Sequence, residues 1–325
     1  REVFDEIVVR SVISWNALIG GYTQHGFGDK ALDCLYEMRD EGLSPDAVTF
    51  ASILRACGNI GSLKKGQEIH SEINKQGLLG NDIVLGTALV DMYAKCGVLT
   101  KAHRVFDELP VRNVTSWNVI ISGYVQHGLG EMALKCFECM KDEHVIPDVI
   151  TFICLSKACC IIGSSLKGEE IHAEAKREGL LEKNVDLTNS LVDMYAKCGA
   201  LEKAQELFDE VLVRDVSSWN VLISGYVLHE FYIEAISCFD KMQDDSFVNT
   251  SKHTFVALLQ ASMKHRDFNT GIHLHSDLVR MGIPENDPFI GTVLLDMYVK
   301  CGLLDKAREI FFKIQTQDVV SWNAL

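Results

Sequence analysis

Trp15, Trp117, Trp219 and Trp322 are the only tryptophans of the chain, each stands in a Ser-Trp-Asn triplet, and they follow one another at intervals of 102, 102 and 103 residues. Spacing this regular marks an internal repeat, and the rest of the sequence keeps step with it. GYTQHG, GYVQHG and GYVLHE follow the first three tryptophans, and DMYAKCG at Asp91 and Asp193 returns as DMYVKCG at Asp296. A repeated block restricts the fold to architectures in which like units stack on one another.

The 102-residue block divides into three related units, each with two helical stretches. The unit opening at Val12 continues as DKALDCLYEMRDEGLSPD, where Ala31, Leu32, Leu35 and Met38 fall three and four apart, as on one helix face. Gly42 and Pro45 then end it. The unit from Ala47 reads VTFASILRACGNIG and then KKGQEIHSEINKQG; the unit from Ile83 reads ALVDMYAKCG and then LTKAHRVFDELPVRN, and is the shortest.

Unit lengths run 35, 36, 31; 35, 36, 31; and 36, 36, 31. The boundaries expected are therefore 1–11 for the tail of one unit, triplets at 12–113, 114–215 and 216–318, and the start of another unit at 319–325. A single helix pair of this size cannot bury its apolar face alone, so neighbours stack into one continuous core. The fold class expected is all-α, an α-solenoid of helix-turn-helix units.

Composition agrees with a helical array: 47% of residues are hydrophobic, only 5 are proline, and no run of 18 apolar residues could span a bilayer. No membrane partner is expected. Opening in mid-unit at Arg1 and stopping in mid-helix at Leu325, the chain reads as an excised piece of a longer one.

These residues resemble a known family. The 35-, 36- and 31-residue units are similar to the P, L and S motifs of plant pentatricopeptide repeat (PPR) proteins. VISWNALIGGYTQHG resembles a P motif, TFASILRACGNIGSLKKGQEIH an L motif, and GTALVDMYAKCG with AHRVFDELP an S motif. The tetratricopeptide array has a similar period, but its Trp, Leu-Gly, Tyr signature is absent. The resemblance covers essentially the whole chain and implies a right-handed superhelix of P-L-S triplets. It also implies binding of single-stranded RNA at one nucleotide per repeat, read by the fifth and last residues of each motif.

The chemistry of that readout can be followed residue by residue. A long Asn at the fifth position reaches a pyrimidine, whereas Thr leaves room for a purine. An ionised Asp at the last position accepts a hydrogen bond from the ring N–H of uracil or guanine; Asn can donate to the bare ring nitrogen of adenine. Carried over, the P units pair Asn16 with Asp46 (U) and Asn118 with Asp148 (U). The S units pair Thr87 with Asn113 (A), Asn189 with Asp215 (U) and Thr292 with Asp318 (G). The third P unit has one extra residue in VNTS, so its last position falls on Ser251 or Thr250, and with Asn220 it implies C or U. The L units carry Ala51 with Asp82, Ile153 with Asn184 and Val256 with Asp287, and an apolar fifth residue takes no letter. Run parallel to RNA from its 5′ end, the array implies the site 5′-U-n-A-U-n-U-(C/U)-n-G-3′.

Second positions in the family supply side chains that pack against base faces. Here they are Ile13, Val48, Val84, Thr115, Ile150, Asp186, Ser217, His253, Phe289 and Val320. Ile13, Val84, Thr115 and Phe289 are stacking candidates, while Asp186, Ser217 and His253 weaken the sandwich where they stand. The alternative reading of these aliphatics is plain core packing at helix starts. A formal net charge of −14 opposes a nonspecific nucleic-acid binder. Lys95, Lys197 and Lys300 nevertheless recur at the thirteenth residue of the S motifs, where the family places a lysine near phosphate; the matching P positions hold Gln24, Gln126 and Leu228.

His70 with Glu72, His172 with Glu174, and Cys136 with Cys139 echo the H-x-E and C-x-x-C of a zinc deaminase. Each is better explained by the repeat: both histidines match His275, and Cys136 matches Cys34 and Cys238. Of the 11 cysteines, Cys57 with Cys159, and Cys96 with Cys198 and Cys301, are likewise repeat-periodic, which suits packing and free thiols. His25, His127 and His229 read as helix-end residues. No metal, cofactor or catalytic group is expected in the chain.

The sequence thus resembles the RNA-targeting part of plant organelle C-to-U editing factors, in mitochondrion or chloroplast, with the mitochondrion favoured. Implied partners are organellar single-stranded RNA, small organellar editing-factor proteins at the L motifs, and a deaminase in cis or in trans. The rival reading is a helical protein-binding scaffold; RNA stabilisation or processing instead of editing is a further alternative.

Overall fold

A computed structural model describes residues 1–80, 82–181, 184–211, 214–244, 252–314 and 322. Among these the secondary structure is helical throughout, with nineteen helices and no strand. The chain forms two compact units, Arg1–Ile162 and Gly163–Leu325.

The first unit opens with α1 (Glu2–Asp5) and continues through α2 (Val12–Gln24), α3 (Gly28–Asp40), α4 (Ala47–Asn59), α5 (Leu63–Lys75), α6 (Ile83–Lys95), α7 (Leu99–Asp107), α8 (Val114–Gln126), α9 (Gly130–Asp142) and α10 (Val149–Ile162). Helices α2, α4, α6, α8 and α10 pack side by side in one row. Each intervening helix packs on the row helices before and after it.

The second unit holds α11 (Ser165–Arg177), α12 (Val185–Lys197), α13 (Leu201–Asp209), α14 (Val216–Leu228), α15 (Tyr232–Asp244), α16 (Lys252–His265), α17 (Phe268–Arg280), α18 (Pro288–Lys300) and α19 (Leu304–Lys313). Its row is α12, α14, α16 and α18, and the remaining helices fit the same scheme. Both units are thus built as an α-solenoid, in which every pair borrows its core from its neighbours.

Row helices start where a short polar side chain can cap them. Ser11, Asp46, Asn113 and Asp215 each accept the N–H of the third helical residue, whose own hydroxyl accepts the cap N–H in return. Several helices stop at a left-handed glycine, such as Gly26 and Gly128 at φ of 77° and 73°. At the repeat-equivalent position of the third triplet the residue is Glu230, which keeps φ at 66° despite its side chain.

The periodic tryptophans mark a recurring seam. Trp117 meets Phe106 edge-on at 4.6 Å, Trp219 meets Phe208 at 4.8 Å, and Trp15 meets Phe4 at 4.6 Å. Arg112 and Arg214 lie over both rings of their pairs. Close approach within the rows is made possible by small residues: a Cβ added at Gly123 would stand 2.8 Å from that of Ala94, and one at Gly225 would stand 2.4 Å from that of Ala196.

Cys34, Cys57, Cys136, Cys159 and Cys238 are buried, and Cys96, Cys198 and Cys301 cap the ends of α6, α12 and α18. His25, His127 and His229 occupy the C-caps of α2, α8 and α14. His70, His172 and His275 bond the hydroxyls of Tyr93, Tyr195 and Tyr298 at 2.8, 3.0 and 2.5 Å. Among the described residues no three His, Cys, Asp or Glu side chains converge as a metal site would require. No described helix is long and apolar enough to cross a membrane.

Candidate nucleic-acid interface

Fifth and last positions of the units lie on one recurring seam, between a row helix and the cap of the next. Asn16, on α2, points its amide nitrogen at Asp46, 3.0 and 3.2 Å from the two carboxylate oxygens. Asn118, on α8, makes the same bond to Asp148 at 2.9 Å. Asn189, on α12, reaches Asp215 at 3.5 Å. The fifth and last residues of these units, 30, 30 and 26 positions apart, are therefore brought side by side.

The aspartates have a second duty, because each caps the row helix that follows it. Asp46 Oδ1 accepts the N–H of Thr49 at 2.8 Å, Asp148 Oδ1 that of Thr151 at 2.9 Å, and Asp215 Oδ1 that of Ser218 at 2.7 Å. Burial, the largest influence on Asp46, pushes its carboxyl pKa up; the bonds from the Thr49 backbone, Asn16 and the Thr49 hydroxyl outweigh it and hold the value below the ordinary one. Asp215 is lowered in the same way, burial being overcome by Ser218 and Asn189. Both carboxylates are ionised at neutral pH and can only accept hydrogen bonds.

The other pairs differ. Thr87 and Asn113 do not bond each other; Asn113 takes the N–H of Ser116 at 2.9 Å, and the buried Thr87 hydroxyl has no partner. Thr292 turns its hydroxyl to the carbonyl of Pro288, and Asn220 accepts from the Thr254 hydroxyl. Asp318, Thr250, Ser251 and Val320 lie outside the described residues. In the second unit of each triplet, Ala51 and Val256 are buried, Asp82 and Asp287 are helix caps, and Asp287 also pairs with Lys252 at 3.1 Å.

Core packing at the second positions is overturned. Ile13, Val48, Val84, Ile150 and Phe289 are each more than half exposed, and Thr115, Asp186, Ser217 and His253 also face solvent. They sit on the first turn of their helices, whose opposite face carries the packing. Asn118 and Asp148 line a cleft of about 270 Å³ together with Thr115, Ile150 and Gln126. Two second-position side chains and one fifth-and-last pair thus border a single space.

The lysines at the thirteenth positions are tied down. Lys95 bonds Asp91 at 2.8 Å and Asn59 at 3.1 Å, while Lys197 and Lys300 bond Asp193 and Asp296 at 2.7 Å each. Lys300 also lines a cleft of about 780 Å³ with Lys264 and Arg266. The latter two were missed in the sequence because neither recurs at its repeat position. The hydroxyls of Thr49, Thr151 and Thr254 were missed too, although their recurrence in VTF, ITF and HTF was there to be read.

A model described as PPR repeat family matches residues 10–59 and 112–161, and one described as PPR repeat matches 87–114, 187–216, 217–247 and 292–319. Two chloroplastic pentatricopeptide repeat-containing proteins of Arabidopsis thaliana are 36% and 35% identical over 99% of this chain, which spans 39% and 37% of their length. A third, also chloroplastic, is 33% identical over 99% of the chain and 52% of its own length. Among solved structures, the crystal structure of pentatricopeptide repeat protein PPR10 in complex with an 18-nt psaJ RNA element superposes with a TM-score of 0.73 at 21% identity, over 93% of this chain and 45% of that one. The stacked helix pairs, the repeat matches spread along the chain and the similarity of 99% of this chain to parts of these plant proteins agree: the chain belongs to the pentatricopeptide repeat family.

Proposed function

We propose that the chain binds single-stranded RNA in a sequence-specific manner, one base per repeat, with P-L-S triplets at 12–113, 114–215 and 216–318 reading 5′-U-n-A-U-n-U-(C/U)-n-G-3′. The observation that carries this reading is the cleft bordered by Thr115, Asn118, Asp148 and Ile150. Its two second-position side chains can flank a base, while Asn118 offers an N–H to a uracil carbonyl and the Asp148 carboxylate accepts the ring N–H. Exposed side chains at all described second positions and the RNA complex of the similar solenoid support the same reading.

The array serves as the targeting part for organellar C-to-U editing, with a deaminase in cis or trans and small editing-factor proteins at the L motifs. Its compartment is a mitochondrion or a chloroplast; the sequence by itself leans to the mitochondrion, and the chloroplastic names of the relatives above favour the chloroplast. The net charge of −14 and the aspartate-bound lysines leave base readout, more than phosphate attraction, to supply affinity. The same acidity favours a second reading, a scaffold that binds a protein instead.

Binding of the purified chain to the site above, and to the same RNA with its A changed to U, separates the two. The variant carrying Thr87→Asn and Asn113→Asp should reverse the wild-type preference for A, since Asp at 113 still caps α8. A chain and variant that bind neither RNA above a scrambled control would refute the RNA reading.

A further inference from the structure

Asn118 and Asn189 carry the same letter pair, Asn with Asp, yet their surroundings differ. The Thr151 hydroxyl lies 2.6 Å from Asn118 Oδ1 and 2.9 Å from its own cap, Asp148 Oδ1, and Thr49 stands in the same relation to Asn16 and Asp46 at 2.6 and 2.9 Å; the amide oxygen is the nearer acceptor in both. Thr254 contacts Asn220 Oδ1 in the same way. The amide of Asn118 is thus held at both ends: its oxygen takes the hydroxyl proton and its nitrogen faces the Asp148 carboxylate, which would repel the oxygen. Rotating the amide by 180° would break both contacts.

At Asn189 the equivalent third residue of the next unit is Ser218, whose hydroxyl turns to Asp215 Oδ1 at 2.8 Å. Asn189 is 7% exposed, and its Oδ1 is buried without a partner. The other described S unit repeats the pattern: Ser116 turns its hydroxyl to the carbonyl of Asn113, and Thr87 Oγ1 is buried without a partner. Threonine follows every P unit and serine follows the first two S units. The β-branch of threonine restricts χ1 to a setting in which the hydroxyl touches both its own cap and the preceding Asn oxygen, whereas the unbranched Ser218 turns to its own cap alone.

We infer that Thr49, Thr151 and Thr254 are positioning residues that lock the reading Asn of each P repeat as a hydrogen-bond donor toward the base, while Asn189 in the S repeat keeps an open acceptor. The inference rests on the RNA reading above. Its consequence is unequal specificity from equal letters. A locked donor beside an ionised Asp matches the O and N–H of uracil and opposes the exocyclic amine and bare ring nitrogen of cytosine. An amide that can present its oxygen accepts from the cytosine amine and recovers part of the loss.

The test is competition binding of the chain to the proposed site with C replacing U at the fourth nucleotide, read by Asn118, or at the sixth, read by Asn189. Cytosine at the fourth should weaken binding by about tenfold or more and at the sixth by about threefold, within the range of single hydrogen-bond readouts. Thr151→Val, which keeps the backbone N–H that Asp148 accepts, should reduce the fourth-nucleotide penalty to about threefold and leave the sixth unchanged. Equal penalties at the two nucleotides in the wild type would overturn the inference without need of any variant. So would a folded Thr151→Val chain that keeps the full penalty at the fourth. Absence of binding to any RNA would instead refute the RNA reading on which the inference stands.

Discussion

The amide nitrogen of Asn118 lies 2.9 Å from a carboxylate oxygen of Asp148, a residue 30 positions further on that also caps the next row helix. One carboxylate therefore ends one repeat, starts another and completes a candidate base-reading pair. Helix capping alone would favour Asp, Asn, Ser or Thr at this position, so its composition carries two signals at once.

The two duties can be separated by substitution. Asp148→Asn keeps a capping acceptor and should change stability by less than about 0.5 kcal/mol, whereas Asp148→Ala should cost about 1 kcal/mol. In RNA binding, Asp148→Asn should move the preference at the fourth nucleotide from U to C, because its amide can donate to the bare ring nitrogen of cytosine. Thermal unfolding and competition binding read the two effects; a loss of stability equal to that of Asp148→Ala would contradict the capping argument.

Glycine at the tenth position of α2, α8 and α14 should tolerate substitution unequally. A Cβ at Gly21 meets nothing within 4 Å, whereas those at Gly123 and Gly225 would collide with Ala94 and Ala196. Gly21→Ala should stabilise the helix by up to about 1 kcal/mol. Gly123→Ala and Gly225→Ala should destabilise by about 1 to 3 kcal/mol, through overpacking between row helices. Melting temperatures of the three single variants provide the comparison.

Three residues hold left-handed conformations where sister units have glycine: His144 matches Gly42, Glu230 matches Gly26 and Gly128, and Arg266 matches Gly61 and Gly163. Glu230→Gly should raise stability by about 1 kcal/mol, since the Cβ that strains this backbone is removed. An unchanged or lower melting temperature would show that the Glu230 side chain compensates for the strain.

His70 and His172 titrate below the ordinary histidine value of 6.5, first because burial disfavours the charged ring. The folded state thus holds the neutral ring, and unfolding takes up protons once the pH falls below that value. This contribution is complete above about pH 6.5 and is lost as the pH drops toward the folded-state value. The melting temperature should therefore decline between about pH 7.5 and pH 5.5. His70→Asn combined with His172→Asn, which leaves an amide near the ring nitrogen that meets the tyrosine, should flatten that decline.

Lys95, Lys197 and Lys300 give part of their charge to Asp91, Asp193 and Asp296 four residues earlier. Replacing the three aspartates by asparagine should tighten RNA binding by about two- to threefold per site at low salt and steepen its salt dependence. Unaltered affinity and salt slope would place these lysines away from the phosphates.

Several features of the solenoid were legible in sequence because they depend on spacing. Tryptophans one triplet apart mark equivalent units, and residues such as Gly42 and Pro45 mark a helix end through local backbone chemistry. The pairing of Asn16 with Asp46 was implied by resemblance; its geometry arises because a 35-residue unit returns the chain to the next row position. The exposure of Ile13, Val48 and Ile150 was implied by the resemblance but not by the residues themselves, since an aliphatic residue on a first helical turn can face either way.

By itself the sequence determined the repeat and the helical character of its units, which follow from near-neighbour periodicity and capping. Only the tertiary structure decided which way the second-position side chains face and whether the amide of each fifth-position Asn is held or open. These depend on atoms brought together from residues 26 to 33 positions apart, across a packed helix pair, and one hydroxyl rotated toward a different oxygen changes the outcome.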